Sequence, residues 1–179
     1  MDARARPIDF YDDELLAEWY SLDRPGRAAS AAVLVSMIAL CNLAVLLPIM
    51  AGEAAYYLSL AQPWWAPEPW VIVPASVGAF TLIGTAAWMV WRQPPTIVTS
   101  AALGWFAAEL VLAFVWTPIF FGAFSLSTSF LVIGSVVITG FAAMFAFGRV
   151  SLFAGLMMFL STAWLSYLAA LTGALWWLN

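Results

Sequence analysis

The chain has 179 residues, of which 65% are apolar and 9% charged, and its formal net charge at pH 7 is -4. It contains no lysine and no histidine, which excludes a soluble globular domain, because the surface of such a domain needs charged side chains. Its few arginines form no basic patch, which excludes a nucleic-acid-binding protein. The lone Cys41 excludes an internal disulfide. The composition therefore predicts an integral membrane protein solvated by a lipid bilayer.

Residues 1–27 form an acidic leader that holds seven of the ten acidic side chains. Apolar residues such as Leu15, Leu16 and Trp19 give one side of a short amphipathic helix, which Pro25 and Gly26 end. Such a helix either lies along the membrane surface or docks on this protein or on a partner. Docking is favoured, because anionic lipid repels so acidic a segment.

The rest of the chain, residues 28–179, is predicted to be an all-α domain of five transmembrane helices. About 20 apolar residues are needed to cross the hydrocarbon core, and five segments satisfy this requirement. Pro94 and Pro95 end the second segment, and Gly148 and Arg149 separate the fourth from the fifth. The predicted spans are residues 28–50, 70–91, 96–121, 126–148 and 151–178.

The arginines near the spans predict the orientation, since basic residues are retained on the cytoplasmic side of a membrane. Four of them fall on one side of a five-helix layout: Arg24, Arg27, Arg92 and Arg149. The opposite side carries Glu53 and Glu68. We therefore expect a cytoplasmic N-terminus, an external loop at residues 51–69, an external C-terminus at Asn179 and residence in a bacterial inner membrane.

Residues 62–70 of the long first loop contain three prolines and three tryptophans. Proline fixes the backbone angle φ and indole rings settle at the bilayer interface, so the sequence predicts a stiff, aromatic connection between the first two spans. Beside it, five helices rich in small residues can pack closely and leave a pocket. A flat, apolar, conjugated ligand suits such a pocket, because indole faces stack on it. The alternative is an interfacial belt of rings, which we favour for Trp88, Trp91, Trp176 and Trp177.

The sequence contains none of the usual groups of an enzyme active site. It has no histidine base, no cysteine and histidine cluster for a metal, no paired carboxylates within one turn of a span and no glycine-rich phosphate loop. The spans also do not form two matched halves, which argues against an inverted-repeat transporter. We therefore expect a protein that is not an enzyme, binds no metal and requires no cofactor.

Three aromatic motifs follow one another along residues 30–179. They consist of Tyr57, Leu60, Pro63, Trp65, Pro67 and Trp70 in the first loop, Trp116, Pro118, Phe120, Phe121 and Gly122 at the end of the third span, and Ala163, Trp164, Trp176, Leu178 and Asn179 in the fifth. With these motifs the chain resembles the TspO/MBR family, the tryptophan-rich sensory proteins and translocator proteins. The resemblance implies five transmembrane helices, a long first loop, binding of porphyrin-like ligands and dimerisation through the third helix.

The chain departs from the family pattern at several positions. Gln62 stands where the family usually has Lys, and Glu68 interrupts its usual Pro-Pro. Ser76 replaces a tryptophan of the second span, and Ala113 and Phe114 replace an Asn-Trp pair of the third. Some bacterial relatives break down tetrapyrroles with light in a way that depends on cavity tryptophans. Because Ser76 stands in place of such a tryptophan, we do not expect this photochemistry in the present chain.

The predicted ligand site combines loop residues with side chains of the spans: Trp64, Trp65, Pro67, Trp70, Phe80, Glu109, Trp116 and Trp164. Its expected occupant is an apolar small molecule, with a tetrapyrrole such as protoporphyrin IX or a haem-like macrocycle as the candidate implied by the resemblance.

Glu109 is the one acidic residue deep in a span. Because a carboxylate is costly inside a bilayer, it is expected to be protonated, paired or facing a wet cavity. Relatives commonly carry Gln at this position, which suggests a hydrogen-bonding role. The candidate partners are Asn42, Ser166 and Thr172, and the role is either structural or part of the ligand pocket.

Small residues also line one side of the third span, at Ala101, Gly104 and Ala108. This spacing lets two helix backbones approach closely, and we expect a homodimer at this face. Packing within one chain is the alternative.

Two functions from different classes remain. The first is a membrane receptor or carrier for a porphyrin-like or other apolar ligand, with a regulatory or transport role. The second is a structural or assembly subunit of a larger membrane complex, which the lost polar pocket residues and the acidic leader favour. The retained loop aromatics favour the first.

Overall fold

A computed structural model describes residues 26–50 and 54–179 of the chain. The helix predicted in the leader lies outside the described residues. Residues 33–179 form one compact unit, and the packing described below concerns that unit.

The described residues are helical, with short connections and no strand. Within residues 26–50 and 54–179 six helices follow one another: α1 (Arg27–Met50), α2 (Ala54–Ser59), α3 (Pro69–Trp91), α4 (Ile97–Phe121), α5 (Leu126–Val150) and α6 (Leu152–Leu178). In this part of the chain five of them, all except α2, are long and apolar enough to cross a membrane. The predicted class, an all-α membrane bundle with an aromatic loop between its first two spans, is confirmed.

The ends of the long helices follow from local chemistry. Pro69 begins α3 at a position where a missing N–H costs nothing. Thr96 caps α4, since its side chain accepts from the backbone N–H of Thr99 while the Thr99 hydroxyl accepts from the backbone N–H of Thr96. The break between α5 and α6 is the single extended residue Ser151, whereas the sequence predicted it at Gly148 and Arg149. The short helix α2 was not predicted.

The five long helices form a ring in the order α1, α3, α6, α5, α4. Helix α6 packs on α3 and α5, and α4 packs on α5 and α3. Helix α1 closes the ring through two polar contacts. The Asn42 amide donates to Thr81 Oγ1 of α3 at 3.1 Å, and the Thr117 hydroxyl of α4 donates to the Ala44 carbonyl at 3.1 Å.

The bundle has two apolar clusters and an apolar outer surface. One cluster, which includes Cys41, Phe106, Phe147 and Met158, occupies the body of the ring. The second gathers Tyr57, Phe120, Leu171 and other side chains at the end where the aromatic loop lies. Large apolar side chains are also exposed on the outside: Val35, Leu131, Ile138, Phe145, Leu152 and Phe153. Such a surface belongs in hydrocarbon, because water does not tolerate so continuous an apolar exterior.

Gly84 provides a test of the contact between α1 and α3. A Cβ atom on Gly84 would lie 2.9 Å from the Ile38 Cα atom and 3.0 Å from the Met37 carbonyl oxygen. Because these are backbone atoms, Gly84→Ala must push the helices apart, and we expect it to lower the free energy of unfolding by about 1–3 kcal/mol. Reversible unfolding in mixed micelles measures the change. Gly78→Ala on the same helix, where a Cβ meets nothing within 4 Å, is the control, and equal stability of the two variants would contradict the packing.

Candidate functional site

The aromatic loop, residues 60–68, is fastened to the end of the bundle by side-chain hydrogen bonds. The Tyr57 hydroxyl donates to the Pro67 carbonyl at 2.9 Å. From α6, the Tyr167 hydroxyl donates to the Trp65 carbonyl at 3.2 Å. These contacts hold the second half of the loop against α2 and against the interior of α6, well before the last residue of that helix.

The C-terminal residue fastens the first half of the loop. The Ala61 N–H donates to Asn179 Oδ1 at 2.9 Å, and Asn179 Nδ2 donates back to the Ala61 carbonyl at 3.1 Å. This reciprocal pair satisfies both backbone groups of Ala61 with a single amide side chain. The loop is therefore joined to Asn179, the residue that follows α6.

An apolar cavity of about 100 Å³ lies at the loop end of the bundle, and no residue of the aromatic loop lines it. Side chains of α2, α3, α4 and α6 line it: Tyr57, Pro69, Ile72, Val73, Trp116, Phe120, Phe121, Leu168, Leu171, Thr172 and Leu175. The Thr172 hydroxyl donates to the Leu168 carbonyl within its own helix, so it adds little polarity to the wall. The lining suits an apolar guest.

Trp116 is the tryptophan of the predicted site that lines this cavity. Its ring stacks on Phe120 with centroids 5.1 Å apart, and it meets Phe121 edge to face at 6.1 Å. The indole N–H of Trp116 is buried and has no hydrogen-bond partner within the described structure. A buried donor without an acceptor is energetically unfavourable.

Trp65 and Trp164 belong to a neighbouring aromatic stack. Tyr167 lies between them, stacked on Trp164 at 5.3 Å and edge to face with Trp65 at 5.7 Å. The Trp164 indole donates to Ser76 Oγ at 3.0 Å. Ser76, at the position where the resemblance implied a tryptophan, thus anchors the tryptophan of α6. The stack joins the loop to α6 beside the cavity.

The other aromatic residues of the predicted site, and Pro67, lie elsewhere. Trp64 is 95% exposed and Trp70 is 72% exposed, and the Trp70 indole donates to Glu68 Oε2 at 2.6 Å. Pro67 contributes its carbonyl to Tyr57, and Phe80 is buried in the cluster in the body of the ring. These four residues do not line the cavity.

Glu109 is 2% exposed and also lies away from the cavity lining. The three residues that the sequence suggested as partners of Glu109 form hydrogen bonds with other groups. Asn42 donates to Thr81 and to the Ile38 carbonyl, the Ser166 hydroxyl donates to the Thr162 carbonyl, and Thr172 donates to the Leu168 carbonyl. The helix rotations that decide these pairings cannot be read from spacing alone.

The small residues expected at a dimer interface face outward. Ala101 and Gly104 are exposed and Ala108 is half-buried, and a Cβ on Gly104 would meet nothing within 4 Å. This face of α4 is free within the protomer.

Several cavity residues were not singled out as site residues from the sequence. Tyr57, Phe120 and Phe121 were recognised as parts of motifs, but not as lining residues. Thr172 was considered only as a partner of Glu109, and Leu168, Leu171 and Leu175 were not considered as site residues. Their spacing of three to four residues places them on one side of α6, and that periodicity was the available signal.

Comparisons with known proteins support the relationship suggested by the motifs. The model of the TspO/MBR family matches residues 31–178. The translocator protein of Ovis aries is 29% identical over 126 residues, which cover 68% of this chain and 73% of the relative. The tryptophan-rich sensory protein of Cereibacter sphaeroides is 28% identical, with 70% and 78% covered. The tryptophan-rich protein TspO of Chlorobaculum tepidum is 30% identical, with 69% and 79% covered. The first two names describe a translocator and a sensory protein, and none of the three describes an enzyme.

The Tyr57 hydroxyl provides a test of how the loop is held. Burial raises the pKa of Tyr57 above its ordinary value, and Tyr167 adds to the rise, so the hydroxyl is a neutral donor at physiological pH. We expect Tyr57→Phe to remove about 0.5–1.5 kcal/mol of loop stabilisation, seen as faster amide hydrogen exchange in residues 60–68. Tyr56→Phe is the control, because that hydroxyl lies 3.5 Å from its nearest acceptor, the Phe124 carbonyl. Unchanged exchange in Tyr57→Phe would contradict this role.

Proposed function

Because the chain belongs to the TspO/MBR family, we propose that it is a membrane receptor or carrier that binds a flat, apolar, porphyrin-like ligand in the apolar cavity at the loop end of its bundle. Family membership supports a membrane sensory or receptor role. The ligand class, the cavity as its site and a regulatory or transport output are the proposal. The observation that carries it is the apolar cavity with the unpartnered Trp116 indole in its wall.

The chemistry of the cavity favours a conjugated apolar ligand. Trp116, Phe120 and Phe121 offer ring faces and edges, and each aromatic contact adds about 0.5–1.5 kcal/mol beyond the burial of apolar area. The Trp116 N–H adds a preference for a ligand with a hydrogen-bond acceptor. A tetrapyrrole meets both conditions, since it has an extended π-system and polar acceptor groups at its rim.

The size of the cavity indicates that its surroundings must move for such a ligand to bind. Pockets for drug-sized ligands have volumes of roughly 300–1,000 Å³, several times the 100 Å³ of this cavity. The lining belongs to packed helices, whereas the adjoining aromatic loop is held by a few hydrogen bonds from Tyr57, Tyr167 and Asn179. We infer that the loop is the part that moves, and that a ligand in the enlarged space would also contact Trp65 and Trp164.

The same organisation supports an orientation in the membrane. Arg92 follows α3 and Arg149 lies in the last turn of α5, at the end of the bundle opposite the aromatic loop. Because basic residues are retained in the cytoplasm, we place that end inside and the loop, the cavity and Asn179 outside. A bacterial inner membrane is the proposed location.

Porphyrin titration tests the ligand and its site. We expect purified wild-type protein to bind protoporphyrin IX saturably in the micromolar range, followed by the change in porphyrin absorbance. Trp116→Phe retains a ring but loses the N–H, so its affinity should fall roughly two- to tenfold. Trp64→Phe is the control, because Trp64 is almost fully exposed and does not line the cavity.

Two results would contradict the proposal. Binding no tighter than that to empty micelles would rule out a porphyrin-like ligand. Equal losses of affinity in the Trp116 and Trp64 variants would rule out the cavity as the binding site. Purification from mild detergent as part of a large hetero-oligomer, together with absent binding, would instead favour the subunit of a membrane complex.

The exposed small residues of α4 support a homodimer, in which Ala101, Gly104 and Ala108 of two copies would face one another. We expect Gly104→Leu to shift the detergent-solubilised protein from dimer to monomer, because the larger side chain separates the backbones. Mass measured by light scattering during size-exclusion chromatography tests this. Gly78→Leu is the control, since Gly78 is equally open but lies on α3. If the mass of the Gly104→Leu variant equals that of the wild type, the proposed dimer interface is wrong.

A further inference from the structure

Three buried polar side chains of the helix ring have unpartnered atoms within the described residues. Asn42 lacks a partner at Oδ1 but donates through its amide nitrogen, whereas Glu109 and Thr162 have no partner at any side-chain oxygen. Both carboxyl oxygens of Glu109 on α4 and the hydroxyl oxygen of Thr162 on α6 are buried without a hydrogen bond from the described residues. Glu109 is 2% exposed and Thr162 is 1% exposed. Unpartnered polar groups are unfavourable at such depth, and in native structures a buried water or ion commonly satisfies them.

The two oxygens converge on one place in the fold. A Cβ atom on Gly140 of α5 would lie 3.0 Å from Glu109 Oε1 and 3.1 Å from Thr162 Oγ1. The oxygens are therefore no farther apart than the sum of these distances, and both face the bare backbone of Gly140. Three helices meet at this point, and glycine is the residue that leaves the two polar side chains room.

The orientation of Thr162 differs from that of the other hydroxyl residues of α6. Ser161, Ser166 and Thr172 each donate to the carbonyl four residues earlier in the helix. This bond is the usual way for a hydroxyl to be satisfied inside a membrane helix. Thr162 does not make it, and its hydroxyl lies beside Gly140 and Glu109 instead.

The charges around the site favour a neutral acid. The described parts of the helices place Arg27, Arg92 and Arg149 at helix ends, and α3 and α6 contain no charged residue. Among the described residues, the buried thiol of Cys41 on α1 is a titratable group near Glu109, and it carries no positive charge. Without a cation nearby, an ionised carboxylate would be costly. A neutral carboxyl group offers one donor and one strong acceptor.

We propose that Glu109, as a neutral acid, and Thr162 bind one water molecule at the face of Gly140 in the centre of the helix ring. The water accepts the hydrogen bond of the Glu109 carboxyl group and donates to Thr162 Oγ1. This polar centre is separate from the apolar cavity, because Glu109 lies seven residues, or roughly 10 Å along the helix axis, from Trp116.

A crystal structure grown from a lipid mesophase, at a resolution that shows ordered water, tests the site directly. The expected result is a density peak within hydrogen-bond distance of a Glu109 carboxyl oxygen and of Thr162 Oγ1. A direct bond between the two side chains, with no peak between them, would overturn the proposal. So would a peak with the short distances and additional ligands of a bound cation, together with sodium-dependent thermal stability.

Infrared spectroscopy of the reconstituted protein provides a second readout. The carbonyl stretch of a neutral carboxylic acid should be present in the wild type and lost in Glu109→Gln, which keeps the shape of the side chain. The band should shift in heavy water and move to higher frequency in Thr162→Val, while Thr162→Ser should restore it. A carboxylate band in place of the acid band would contradict the neutral form.

Two glycine variants make a matched pair for this site. Gly140→Ala should shift the Glu109 band and lower the thermal unfolding midpoint by several degrees, because its Cβ meets both oxygens. Gly134→Ala, on the same helix with nothing within 4 Å of its Cβ, should leave the band unchanged. Identical spectra for both variants would place Gly140 outside the site. Porphyrin affinity is measured separately, so a negative result for the Glu109 and Thr162 site does not contradict the proposed ligand.

Discussion

Hydrocarbon cannot form hydrogen bonds with a peptide backbone, and most of this structure follows from that constraint. Each long segment crosses as a helix because a helix satisfies its own N–H and C=O groups. The same constraint acts on polar side chains. Ser135, Thr85 and Ser166 lie in different helices, and each hydroxyl returns to the carbonyl four residues earlier. Irregular backbone is confined to the ends of the bundle, where water and loop side chains supply partners.

Polar side chains are rare in the long helices, so the few hydrogen bonds between helices determine how the ring closes. Asn42 joins α1 to α3, and the Thr117 hydroxyl joins α4 to α1. Close backbone approaches accompany them, as at Gly84 against Ile38. In lipid there is no strong hydrophobic drive between helices, so association depends on such close packing and on hydrogen bonds. The apolar residues of the interior fill the space that these contacts define.

The sequence predicted the spans well, since the need for about 20 apolar residues and the positions of proline leave little freedom. Helix ends were placed within one or two residues, with the largest error at Val150, where α5 continues past Gly148 and Arg149. Helix α2 was missed because six residues are too few to show a helical period.

The cavity was predicted only in part. Trp116 lines it, but Trp64 and Trp65 are adjacent in sequence and have very different exposures, because contacts with α6 decide which side of the loop each ring faces.

Packing also explains how the helices are coupled to the aromatic loop. The Trp164 indole bonds to Ser76 across the α3–α6 contact. Trp164 is stacked on Tyr167, whose hydroxyl holds the loop at Trp65. Ser76 in α3 is thus connected through two side chains, Trp164 and Tyr167, to the loop. If ligand binding requires the loop to move, the observed affinity is the intrinsic affinity multiplied by the fraction of molecules whose loop is displaced. Ser76 and Asn179, which do not line the cavity, then influence binding through the loop position that they stabilise.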